Sequence, residues 1–106
     1  KMILPKIHEL LNENAVAAVL IKPQFEAGKR DVGKGGIVKD KKVHMRVLSD
    51  IDSFAAGTGL LPEKYTFSPV KGGSGNIEYL VLLRKARGKY FIRDFKELVE
   101  SSFDKL

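Results

Sequence analysis

The chain has 106 residues, 43% of them hydrophobic, no cysteine and a net charge of +6. That length suits one domain or part of a larger one, in which about two-thirds of the extended surface is buried. The lack of cysteine excludes disulfides and thiolate metal sites and fits a reducing cytoplasm. No apolar run approaches the roughly 18 residues of a membrane span, and the positive charge favours polyanions such as nucleic acid as readily as it serves solubility.

The chain opens on Lys1, inside a helical pattern and without a signal peptide, so it reads as a piece of a longer protein. Ile3, Leu4, Ile7, Leu10 and Leu11 recur at helical spacing, which predicts an amphipathic helix over residues 2–13 with Pro5 in its first turn. The apolar run over residues 15–21 predicts a strand buried on both faces, as in a parallel sheet covered by helices. Residues 23–39 read as a long polar loop bearing Lys29, Arg30, Lys34 and Lys39, and a loop of that length is functional or disordered. Asp40 is a good N-cap for a second helix with Val43, Val47, Leu48, Ile51, Phe54 and Ala55 on its apolar stripe, ended by Gly57 or Gly59. Residues 63–68 predict a strand closed by Pro69, and residues 77–83 are the strongest strand signal. Between them lies a turn rich in glycine, Lys71 to Gly75. Phe91, Ile92, Phe95, Leu98, Val99, Phe103 and Leu106 predict a C-terminal helix, and the basic stretch Arg84 to Lys89 before it reads as a hinge. His8 and His44 stand far apart in helical patterns, so no zinc site is expected.

This order describes an α/β unit: a parallel crossover followed by a hairpin that supplies one antiparallel strand. Ligands bind beyond the carboxyl ends of parallel strands in such sheets. Lys22 stands at that end of the first strand, although the pattern equally admits a lysine that simply reaches solvent. If the strand over 77–83 runs antiparallel beside the strand over 15–21, Glu78 meets Lys22 at one sheet edge; alone, it reads as an exposed carboxylate. Gly33 to Gly36 has neither of the glycine spacings of a phosphate loop and reads as a flexible basic loop, or as plain linker. Gly72, Gly73 and Gly75 fit a tight turn beside the site, and Phe25 fits either a base-stacking role or an anchored loop aromatic.

Four blocks carry a resemblance: Ile21-Lys-Pro-Gln-Phe-Glu-Ala-Gly28, Val32-Gly-Lys-Gly-Gly-Ile-Val38, Ser68-Pro-Val-Lys-Gly72 and Gly75-Asn-Ile-Glu-Tyr-Leu80. In order and spacing the chain resembles, over residues 1–85, the haemolysin-A-like (TlyA) branch of the FtsJ-like ribosomal RNA methyltransferases; residues 86–106 are an additional C-terminal helix. The resemblance implies the C-terminal portion of a Rossmann-like, S-adenosylmethionine-dependent methyltransferase fold. Residues 15–21, 63–68 and 77–83 would be its fifth, sixth and seventh strands, with the seventh antiparallel and inserted between the other two. It implies methylation of a ribose 2′-hydroxyl of ribosomal RNA by a Lys-Asp-Lys-Glu constellation, in which Lys22 matches the second lysine and Glu78 the glutamate. The first lysine, the aspartate and the cofactor loop have no counterpart in this sequence, so no cofactor-binding residue is assigned. One departure stands in the turn before the glutamate, Gly72-Gly-Ser-Gly75, where the family usually has a proline after the first glycine.

Under that implication Lys22 is the candidate general base for the hydroxyl proton. Glu78 positions it by accepting a hydrogen bond, since a carboxylate beside an amine favours the ammonium form. Lys29, Arg30, Lys34 and Lys39 would contact phosphates of the RNA, with Phe25 and Asn76 as further contacts. The alternatives are a non-enzymatic RNA-binding module, a haemolysin-type protein without methyltransferase activity, or a structural fragment that binds no cofactor. Nothing in the residues suggests pore formation. An apolar strand left without a neighbour on one side would also invite self-association.

Overall fold

The structure, a computed structural model, describes residues 3–72, 75–86 and 93–106, apart from the side chains of Lys29 and Lys34. Phe91, Ile92, Gly73 and the stretch from Arg87 to Lys89 therefore lie outside the described residues.

Helix α1 spans Ile3–Leu10 and strand β1 Val16–Ile21. The helix stops short of the expected residue 13 because the chain turns at Asn14, which takes a left-handed φ of 63°, a conformation asparagine tolerates better than most residues. A one-turn helix, α2 (Pro23–Glu26), follows directly, and the rest of the expected loop holds 3-10 turns at Lys29–Asp31 and Lys34–Gly36. It is ordered, not structureless. Helix α3 spans Lys41–Gly57, and Asp40 caps it by accepting from the Lys42 amide at 2.9 Å, as expected. Its buried stripe is the expected one with two changes: His44 and Asp52 join it, and Phe54 remains 37% exposed.

Strand β2 (Leu60–Phe67) begins before the expected residue 63 and includes Pro62. It lies at a sheet edge, where proline is tolerated because a missing amide donor faces no partner, and a bulge follows between Pro62 and Lys64. Strand β3 is Tyr79–Lys85, two residues later than expected at both ends, so Arg84 and Lys85 belong to a strand and not to a hinge. Helix α4 (Lys96–Lys105) closes the chain.

The sheet order is β1-β3-β2, with β3 antiparallel to both neighbours. The last strand thus inserts between the other two, as the resemblance implied. Tyr79, Val81 and Leu83 point into the core together with Ile21 and Leu60. That face is covered by α3, through His44 on Tyr79, and by α4, through Ser102 on Tyr79. Leu4 of α1 is buried and lines an apolar pocket with Val19, Ile21 and Ile51. The opposite face carries Val16, Leu20 and Leu82, all exposed. The expectation that β1 is buried on both faces is therefore not met: among the described residues helices cover one side, and β1 is itself an edge strand.

Helix α4 is fastened by aromatic and ionic contacts. Phe103 meets His44 edge-on with ring centroids 4.9 Å apart, and Phe95, just before the helix, meets Tyr65 at 4.8 Å. Lys41 and Glu100 pair at 3.1 Å, though a half-exposed pair of this kind adds little stability. No helix among the described residues is long and apolar enough to cross a membrane.

Candidate functional site

The site forms where β1 ends and β3 begins. The register pairs Ile21 with Tyr79, so Lys22 and Glu78 extend the ladder at its next rung. Lys22 precedes a proline, which restricts it to extended backbone; its φ and ψ are −112° and 101°. Pro23 then starts α2 with a preset φ and no orphaned amide. This Lys-Pro junction converts strand to helix within one residue and places Lys22, Gln24 and Phe25 around one opening.

Lys22, Gln24, Phe25, Gly36, Asn76 and Glu78 line an open cavity of about 370 Å³. The Lys22 ammonium sits 5.4 Å from the centroid of the Phe25 ring. Glu78 is only 6% exposed, not the solvent-facing carboxylate that its position alone suggested. Its Oε2 accepts a hydrogen bond of 2.8 Å from Gln24 Nε2, while its backbone carbonyl accepts from the Ser68 amide at 2.8 Å. Gln24 went unnoticed in the sequence, although it stands two positions after Lys22 in the block that carries the resemblance.

The glycine-rich turn touches the same carboxylate. Gly72 donates its amide to the Asn76 carbonyl at 2.8 Å, and Gly75 donates to the Gly72 carbonyl at 3.0 Å. A Cβ on Gly72 would collide with both Glu78 oxygens, lying 2.7 Å from Oε1 and closer still to Oε2. Glycine is needed at 72 for space.

Asn76, expected to contact RNA, is 1% exposed. Its Oδ1 accepts from the Val38 amide at 3.0 Å and its Nδ2 donates to the Gly36 carbonyl at 2.8 Å. It anchors the basic loop to the start of β3. Gly36 offers that carbonyl from a φ of 78°, a left-handed conformation that suits glycine. The loop has two further anchors on α3. Arg46 donates to the Ala27 carbonyl at 2.9 Å and to Asp31 at 2.8 Å, and His44 Nε2 donates to the Val38 carbonyl at 2.9 Å.

Because Nε2 of His44 faces a carbonyl, Nδ1 of the neutral ring accepts from the Tyr79 hydroxyl, 2.9 Å away. Ser102 Oγ lies 3.0 Å from that hydroxyl and 2.7 Å from the Val99 carbonyl. Burial pushes the His44 pKa below its ordinary value, against the opposing pull of the Val38 carbonyl and Asp40. Burial likewise pushes the Tyr79 hydroxyl up to about 12. This chain of hydrogen bonds ties the residue after Glu78 to α3 and α4.

The remaining candidates lie outside this cluster. Phe25 is 76% exposed beside the cavity. Arg30 and Lys39 are exposed on the loop, Arg30 at an open hollow shared with Asp31 and Arg46. The side chains of Lys29 and Lys34 lie outside what the structure describes.

Comparison with known proteins gives a consistent picture. The family model described as FtsJ-like methyltransferase matches residues 3–85. The chain is 48% identical over 83 residues to YqxC of Bacillus subtilis, named as an rRNA methyltransferase, covering 78% of this chain and 30% of the relative. It is 37% identical over 82 residues to the 16S/23S rRNA (cytidine-2′-O)-methyltransferase TlyA of Mycobacterium tuberculosis, covering 77% of this chain and 31% of that protein. A solved structure of a protein named as a hemolysin from Streptococcus thermophilus superposes with a TM-score of 0.91 at 35% identity, covering 98% of this chain and 38% of that one. The chain thus spans about 30% of the length of the curated relatives it matches.

Proposed function

Because the chain belongs to the FtsJ-like methyltransferase family, we propose that it forms the acceptor side of a catalytic centre that methylates a ribose 2′-hydroxyl of ribosomal RNA. On this reading β1, β2 and β3 are the fifth, sixth and seventh strands of a Rossmann-like methyltransferase fold, and the protein works in the cytoplasm. The observation that carries the proposal is the convergence of Lys22 and Glu78 on one cavity at the sheet edge. A buried carboxylate, Glu78, is held at 2.8 Å by Gln24 in the cavity that Lys22 also lines.

S-adenosylmethionine is the methyl donor implied for such an enzyme, and it would supply an electrophilic methyl group. Among the described residues no glycine-rich turn from strand to helix offers it a cradle. Lys34–Gly36 form a 3-10 turn, and the Gly33 amide before it is already taken up, donating to the Ile37 carbonyl at 2.8 Å. These residues act on the acceptor alone.

A ribose hydroxyl is a poor nucleophile until its proton has somewhere to go. Lys22 enters the step as the neutral amine, its resting proton having passed to solvent, and its Nζ then takes the proton from the 2′-oxygen. Glu78 orients the amine by accepting one of its hydrogens and stabilises the ammonium that results. Phe25 offers an exposed ring on which a neighbouring base stacks. Arg30 and Lys39, with Lys29 and Lys34, meet the phosphates. Asn76 serves indirectly, by holding the loop.

The test uses a protein of the relatives' full length. Lys22→Ala lowers the turnover of methyl transfer by about 10²–10⁴-fold, the usual contribution of a positioned general base, while RNA affinity stays close to normal. Unchanged turnover would overturn the assignment.

A further inference from the structure

Gln24 is the sequence's one glutamine, and its amide is only half engaged. Nε2 donates to Glu78, whereas Oε1 is buried with no hydrogen-bond partner among the described residues. The orientation is set by chemistry: a carboxylate only accepts, so the nitrogen faces Glu78 and the oxygen faces elsewhere. A buried carbonyl oxygen without a donor is uncommon enough to demand an account.

A donor stands two residues away. Lys22 lines the same cavity, and its ammonium rests against the exposed ring of Phe25, a weak seat at a solvated surface. We infer that Gln24 is a positioning residue for Lys22. Its Oε1 is the acceptor that receives the Lys22 amine when that amine leaves the ring and joins Glu78. The inference rests on the reading of Lys22 as the base. Once the ammonium has given one proton to solvent, the neutral amine has two hydrogens and one lone pair. With one hydrogen on Glu78 and the other on Gln24 Oε1, the lone pair faces the open side of the cavity, where a ribose hydroxyl enters. With Glu78 alone, the amine has one anchor and rotates about it. A base stacked on Phe25 takes the ring face that the amine occupies, so the arrival of RNA itself moves the amine to this second seat.

Because the chain has one glutamine, labelling with ¹⁵N-glutamine reports a single side-chain amide. Phe25→Leu removes the ring seat together with the ring's own effect on that resonance, so its shift is measured with Lys22 and again in a Lys22→Met background. The shift should be larger when Lys22 is present. Equal shifts in the two backgrounds overturn the inference, and the outcome does not depend on catalysis. In a protein of the relatives' full length, Gln24→Met roughly keeps the side chain's size and removes both the bond to Glu78 and the acceptor offered to Lys22. It should lower kcat about tenfold to a hundredfold, a fraction of the general-base contribution, with KM for RNA within twofold. A kcat within twofold of the unsubstituted protein, or a rise confined to KM, overturns the positioning role. If the unsubstituted protein transfers no methyl group, the proposed function fails, and the resonance experiment still decides on Gln24.

Discussion

Ile21 stands directly opposite Tyr79 in the antiparallel ladder of β1 and β3. Everything at the site follows from that rung. The next residue along β1 is Lys22 and the one before Tyr79 is Glu78. A slip of one residue would turn every side chain of β3 to the other face, exposing Tyr79 and withdrawing it from His44 and Ser102. The buried hydrogen bonds of Tyr79 therefore hold the register that brings lysine and glutamate together.

The space beside Glu78 is taken from Gly72. Gly72→Ala forces the carboxylate or the turn to shift, which should cost about 1–3 kcal/mol of stability, as overpacking does. It should also weaken the bond from Gln24 to Glu78. Chemical denaturation measures the first effect and the Gln24 side-chain resonance the second. An unshifted resonance would show that the turn, not the carboxylate, gives way.

Asn76 satisfies two backbone groups of the basic loop at once. Asn76→Ala leaves the buried Val38 amide without its acceptor and should destabilise the chain by about 1–3 kcal/mol. Limited proteolysis should then cut faster between residues 28 and 37. Asn76→Asp retains the acceptor for Val38 but sets a buried carboxylate oxygen against the Gly36 carbonyl, so it should destabilise the chain as well.

His44 and Tyr79 make stability depend on pH in opposite directions. The folded state disfavours the His44 imidazolium. Below an ordinary histidine pKa of about 6.5, the unfolded chain therefore binds the extra proton and stability falls as pH falls. That loss continues until the pH drops below the depressed folded value. For Tyr79 the folded value is about 12; between an ordinary tyrosine pKa of about 10 and that value the folded state holds more protons, so stability falls as pH rises. Denaturant midpoints measured across pH should show both limbs, and His44→Gln should flatten the acidic one.

The loop cations should act one by one. Arg30→Gln or Lys39→Gln in a protein of the relatives' full length should reduce the log–log salt slope of RNA binding by about one unit each. Filter binding at several salt concentrations checks this, and an unchanged slope removes that residue from the interface.

The open face of the sheet is apolar at Val16, Leu20 and Leu82, with Leu20 43% exposed, and among the described residues no strand pairs with the outer edge of β1. The 106-residue chain should self-associate with rising concentration. Leu20→Lys should shift the sedimentation profile toward the monomer.

Much of this molecule is determined by its sequence alone. The apolar run into Ile21, the cap at Asp40 and the periodicity of α3 are local signals, because alternation and helical spacing depend only on neighbouring residues. The block after Ile21 likewise marks Lys22, and the one after Gly75 marks Glu78, as chemistry-bearing positions. Tertiary structure alone decided what these residues do to one another. Gln24 reads as an ordinary polar residue until β3 brings Glu78 within 2.8 Å of it. Gly72 reads as a turn residue until the carboxylate fills the space its side chain would occupy. Asn76 reads as a surface contact until the loop from Gly36 to Val38 folds over it. Hydrogen bonds between residues this far apart depend on register and packing, and no local pattern encodes them. The site is legible as residue types in the sequence, and it becomes a geometry only when β3 enters between β1 and β2.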